Sequence, residues 1–96
     1  MTADRNASVR NNEARSQFEL PTDAGLAFAA YEREGEVWTF THTIVPPEAE
    51  GHGVASALIR TALETVDGAG GRVVPQCRFV RAYIDRHPEW ARLLAH

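Results

Sequence analysis

Val45-Pro46-Pro47-Glu48-Ala49-Glu50-Gly51-His52-Gly53-Val54-Ala55-Ser56-Ala57-Leu58 is the stretch whose reading decides the fold. A β-branched run ends at Val45, and two prolines that cannot donate to a strand ladder close it. An amphipathic helical pattern begins just past two glycines. Strand, turn and helix therefore follow one another here. A helix start offers backbone N–H groups without intrahelical partners and the positive end of the helix dipole, and both favour an anion such as phosphate or pyrophosphate. Gly51 and Gly53 let a ligand approach the backbone where no Cβ intervenes, and such turns often need positive φ. Gly-x-Gly alone is a weak pattern. Its place between a strand and a helix gives it weight.

Upstream of the turn, residues 37–45 alternate with a period of two. Trp38, Phe40, His42 and Ile44 fall on one face, and Val37, Thr39, Thr41, Thr43 and Val45 on the other. The aromatic face is expected to pack against helices, and the threonine row to be the less buried face. Two earlier strands are expected at 16–20 and 26–32, joined by a turn at 21–25 and a Gly35 hairpin. Three strands joined by short turns form an antiparallel meander. Residues 1–15 are polar and without periodicity, so they read as a flexible tail ahead of one domain at 16–96.

Downstream, 52–66 reads as a helix with Val54, Leu58, Ala62, Ala55, Ile59, Leu63 and Val66 on its buried stripe. The glycine-rich Asp67-Gly68-Ala69-Gly70-Gly71 stops it. A short strand at 72–76 should lie parallel to the long strand after a right-handed crossover. A second helix starts near Cys77 or Arg78 and breaks at His87-Pro88, with a short helix over 89–94. The order is β-β-β-α-β-α with a short C-terminal helix. This is a mixed-sheet α/β (α+β) domain.

Composition narrows the function. The chain has 96 residues and a net charge of −3, with no run of basic residues, which argues against nucleic acid as a partner. No long apolar run or leader pattern points to a membrane. The single Cys77 excludes an internal disulfide and a cysteine-based zinc site, and the four histidines lack ligand spacing, so no metal site is expected. The composition fits a cytoplasmic, reducing setting.

Two separated blocks, His42-Thr43-x-Val45-Pro46-Pro47 with Glu50-Gly51-His52-Gly53-Val54-Ala55-Ser56-x-Leu58, and Val74-Pro75-x-Cys77-x-Phe79-Val80 with Tyr83-Ile84-x-x-His87-Pro88-Glu89-Trp90, occur in this order. Together with the element order they resemble the small, roughly hundred-residue subclass of the GNAT N-acetyltransferase superfamily. The resemblance implies an acetyl-CoA-dependent N-acetyltransferase with an unidentified amine acceptor. It implies that the N–H groups of Gly51, His52, Gly53, Val54, Ala55 and Ser56 cradle the pyrophosphate. The pantetheine arm would pair with strand backbone near Ile44 and Val45. The chain departs from the family at Glu48, where typical members carry Gln or Arg, and it lacks room for the helices that build an acceptor pocket in larger members. A non-catalytic acyl-CoA-binding or protein-interaction module with the same fold is the alternative.

Cys77 falls at the end of the fourth expected strand, beside the implied thioester. A thiol at a helix start can act as a nucleophile, or it can be a small buried hydrophobe. His42 matches the subclass's His-Thr and can serve as a base near neutral pH, or it can be a hydrogen-bonded core residue. His52 either contacts a phosphate or is solvated. The family's helix tyrosine position falls on Ile84, so Tyr83 reads as packing, and His87-Pro88-Glu89-Trp90 as a helix break with an aromatic anchor.

Overall fold

The computed structural model describes residues 9–95. Residues 1–8 and 96 lie outside the described residues. Five strands form one sheet in the order β1-β2-β3-β4-β5: β1 (Arg10–Asn12), β2 (Gln17–Thr22), β3 (Gly25–Glu34), β4 (Val37–Ile44) and β5 (Arg72–Pro75). β1 through β4 run antiparallel, and β4 and β5 run parallel. Two helices, α1 (Val54–Gly68) and α2 (Arg78–Arg86), carry the buried stripes, and 3₁₀ turns lie at Pro47–Ala49 and Pro88–Leu93. The mixed sheet and its α/β class agree with the sequence reading.

One face of the sheet holds the core. Phe18, Tyr31, Trp38 and Phe40 form an aromatic cluster with ring centroids 4.9–6.3 Å apart. Offset aromatic packing at such spacings is favourable beyond its area burial. Ala27 and Ala29 are fully buried on the same face of β3. Their small side chains leave room for α1, which touches β2, β3, β4 and β5 and brings in Leu58, Ile59, Leu63 and Val66. α2 packs on α1, β4 and β5 through Val80, Tyr83 and Ile84. Glycine is required where β5 begins. A Cβ on Gly71 would fall 2.8 Å from Trp38 Nε1 and 2.9 Å from the Glu36 carbonyl oxygen.

Two expectations are corrected. Residues 10–12, assigned to a flexible tail, form β1 beside β2, and Tyr31 donates its hydroxyl to Asn11 Oδ1 at 2.7 Å. Asparagines at 11 and 12 hide the strand from any hydrophobic pattern, because β1 is held by backbone pairing and by this side-chain bond. The second correction concerns β4. Tyr31 pairs with Phe40, but Ala30 pairs with His42, so Thr41 has no partner on β3. This is a β-bulge, one extra residue that breaks strict alternation and bends the strand. Trp38 and Phe40 are buried as expected, but beyond the bulge His42 and Ile44 face solvent and Thr43 is buried. The period of two read along 37–45 therefore assigned the faces of the last three strand residues the wrong way round.

Candidate functional site

β4 and β5 are parallel, and the chain leaves their carboxyl ends by two loops. One carries Gly51 and Gly53 into α1, and the other carries Cys77 into α2. The crevice outside such strand ends is where open α/β sheets place ligands. Pairing between β4 and β5 runs from Val37↔Arg72 to Phe40↔Pro75. The last link is the Cys77 N–H, which donates to the Phe40 carbonyl at 2.8 Å. Beyond it β4 continues through the bulge without a β5 partner.

A cleft of about 570 Å³ opens there, lined by Thr41, His42, Thr43, Gln76, Cys77, Arg78, Phe79 and Ala82. Such a volume lies within the range of small-molecule sites. His42 and Cys77, separated by thirty-four residues in sequence, share its wall. Cys77 is 3% exposed and stands at the N-cap of α2, where its side chain makes no capping bond. Its sulfur lies 3.2 Å from Thr43 Oγ1 in a buried hydrogen bond. His42 is exposed, hydrogen-bonded through Nδ1 to Thr41 Oγ1 at 3.1 Å, and edge-on to Phe28 at a centroid distance of 5.9 Å. It is not a core histidine, because the bulge turns it to the open face of the sheet. Phe79, half exposed, adds an apolar wall.

The glycine turn is a separate feature at the same edge. Gly51 and Gly53 have φ of 83° and 76°, a left-handed backbone that other residues adopt only with strain. A Cβ added to either would meet nothing within 4 Å. The space in front of the loop is open. Gly53 is the N-cap of α1 and its carbonyl accepts from Ala57, but no side chain caps the helix. Among the described residues, the N–H groups of Val54, Ala55 and Ser56 have no acceptor. Three free donors, a helix dipole and an unobstructed backbone fit an anionic group such as a diphosphate. His52 is exposed between the glycines, and Glu48 and Glu50 are exposed just before them. α1 begins at Val54 rather than at the expected residue 52, because its left-handed cap cannot continue a helix.

Ile44 is 49% exposed at the end of β4, and Val45 packs partly against the core. Neither lines the cleft, nor do Gly51 to Ser56. Tyr83 is buried beside His87, ring centroids 4.3 Å apart, and burial raises its hydroxyl above the usual phenol range. Thr43, Gln76, Arg78 and Phe79 were not singled out for the site from sequence. For Thr43 the available cue was its place in the His42-Thr43 block that carries the family resemblance, and the apparent alternation pointed it the other way. No group of three or more metal-ligating side chains lies together among the described residues, and none of their helices is long and apolar enough to cross a membrane.

The sequence profile of the GCN5-related N-acetyl-transferase family matches residues 17–93. Among curated proteins none matches. Among solved structures, a GCN5-like protein from Staphylococcus aureus, determined in solution by NMR, superposes with a TM-score of 0.71 at 19% identity, covering 96% of this chain and 91% of its own. At that identity the likeness is one of fold.

Proposed function

The chain belongs to the GCN5-related N-acetyltransferase family, and from that premise we propose that it transfers an acetyl group from acetyl-CoA to an amine acceptor. The observation that carries this reading is the placement of Cys77 and His42 in one cleft, at the strand ends that also bear the open Gly51–Gly53 turn. Acetyl-CoA, when bound, supplies the activated thioester. The free N–H groups of Val54, Ala55 and Ser56, with Gly51, His52 and Gly53, hold its diphosphate. The backbone at Ile44 and Val45, past the end of the β4–β5 pairing, receives the pantetheine arm.

Cys77 Sγ attacks the thioester carbonyl, the acetyl group moves to sulfur, and CoA leaves with the thiol proton. The acceptor nitrogen then attacks the acetyl-cysteine, with His42 taking the ammonium proton as general base. The second nitrogen proton, lost as the amide forms, passes to the departing Cys77 sulfur, which returns as the thiol. The thiol chemistry and the absence of a second cysteine suit a reducing cytoplasm.

Two measurements test the reading. Calorimetric titration should show acetyl-CoA binding in the wild type and its loss, by about a hundredfold or more, in Gly53→Glu, where a carboxylate and a strained backbone replace the open cradle. Mass spectrometry after incubation with acetyl-CoA alone should show one added acetyl group, absent in Cys77→Ala although binding is retained. Binding without protein acetylation or acceptor-dependent CoA release would instead identify a non-catalytic acyl-CoA module. The direct turn from β2 to β3, with no helix between them to build an acceptor pocket, is what gives that second reading its place.

A further inference from the structure

We propose that Thr43 is the positioning residue for the Cys77 thiol, and that the β4 bulge exists in this fold to turn Thr43 toward it. The inference rests on the reading of Cys77 as the reacting group. Thr43 is 7% exposed and is the one buried polar side chain among the described residues. Its hydroxyl sits 3.2 Å from Cys77 Sγ. No other hydrogen bond to this sulfur occurs among the described residues. The Cys77 N–H is committed to the Phe40 carbonyl, and the side chain makes no cap bond to α2. Among the described residues, Thr43 is therefore the sole hydrogen-bond partner of the sulfur.

A hydroxyl at this distance serves both protonation states. It accepts from the neutral S–H, and by rotating about its C–O bond it donates to the thiolate, with no movement of heavy atoms. A hydrogen bond to an ionised group is stronger than one to its neutral form. Thr43 therefore favours the thiolate that attacks, and fixes where its lone pairs point. A valine of the same shape does neither.

The bulge makes the contact possible. With strict alternation from Phe40, residue 43 would lie on the open face, away from Cys77. One unpaired residue, Thr41, restores residue 43 to the inner face while leaving His42 on the outer one. The same irregularity thus places the two candidate reacting groups in different surroundings within one cleft, a buried sulfur and an exposed imidazole.

The test uses the full chain, whose single cysteine makes thiolate absorbance in the ultraviolet report Cys77 alone, with Cys77→Ser as the blank. The other titratable and charged groups lining the cleft, His42 on β4 and Arg78 on α2, are present in every variant compared. Thr43→Val should move the thiolate titration to higher pH by about one pH unit and slow trapping by a small methanethiosulfonate at neutral pH roughly tenfold. Thr43→Ser should retain the wild-type profile. A Val profile that coincides with the wild type, or a Ser profile displaced as far as Val, overturns the proposal. If Thr43→Val does not fold, Thr43→Ala, which removes the hydroxyl without adding a branched apolar group, carries the same comparison. No acetyl-CoA is present in either measurement, so a displaced profile with no acetyl transfer would refute the enzyme reading and leave the positioning intact. Transfer with an unmoved profile would do the reverse.

Discussion

The two halves of β4 have different neighbours. Val37 to Phe40 are flanked by β3 on one side and β5 on the other, and Trp38 and Phe40 are buried in the aromatic cluster. Thr41 to Ile44 keep β3 but lose β5, carry the bulge, and supply three residues to the cleft. Both halves are made of β-branched and aromatic residues, so local propensity does not separate them. Neighbours separate them. A strand fully paired on both edges belongs to the scaffold, whereas one released on an edge has backbone to offer a ligand.

The largest stability contrast should therefore fall within five residues. Phe40→Ala should cost about 3–5 kcal/mol by removing a buried aromatic from the cluster, whereas Ile44→Ala, at a half-exposed position, should stay within about 0.5 kcal/mol. Urea denaturation midpoints measure both. Similar losses at the two sites would mean that the second half is part of the core after all.

Deleting Thr41 sharpens the comparison differently. The deletion restores ordinary pairing and keeps Thr43 inward, but removes the bend that a bulge imposes. The protein should still fold cooperatively, while acetyl-CoA binding by titration weakens roughly tenfold as the released half of β4 straightens toward β5. Unchanged binding would show that the gap between the strands owes nothing to the bulge.

The smallest effect concerns the outer edge of the regular half. Leu94 bridges to Val73 of β5, and Ala95 donates to the Val73 carbonyl. Arg92 ties this segment to α1 through a bidentate pair with Asp67, both bonds 2.9 Å. The Arg92 hydrogen bonds hold the Asp67 carboxyl below its ordinary value. A depressed folded pKa stabilises above the unfolded carboxylate pKa of about 3.9 and loses that contribution as pH falls through the folded value. The pair is exposed and screened by salt, so its worth is small. Asp67→Asn should lower Tm slightly at neutral pH and low salt, with the difference from the wild type vanishing in strong acid. A difference that persists there would assign the effect to packing instead.

Much of this molecule was legible from the chain alone. The period of two in residues 26–32 and 37–40, the double proline after Val45 and the glycines at 51 and 53 located strands, break and turn, because each depends on local sterics and solvent preference. The stripe of α1 followed from the same logic, whereas Tyr83 was read as packing because the family's tyrosine position falls on Ile84. The partner across the cleft was legible only in part. Cys77 and His42 were chosen for their chemistry, but whether they share a wall depends on how β4 and β5 pair. Thr43 stood in the block that carries the family resemblance but was read onto the wrong face, since a bulge is an agreement between two strands and leaves no mark in one of them.

The sequence by itself determined the order of the elements from residue 16 onward, the location of the Gly51–Gly53 turn and the class of fold, since all three follow from backbone stereochemistry and hydrophobic spacing within short windows. Only the tertiary structure decided which way Thr43, His42 and Ile44 face, that Asn11 and Asn12 belong to a strand, and that a buried hydroxyl meets the lone thiol. Those facts depend on register between segments distant in sequence, and a one-residue change of register exchanges the faces of every side chain beyond it.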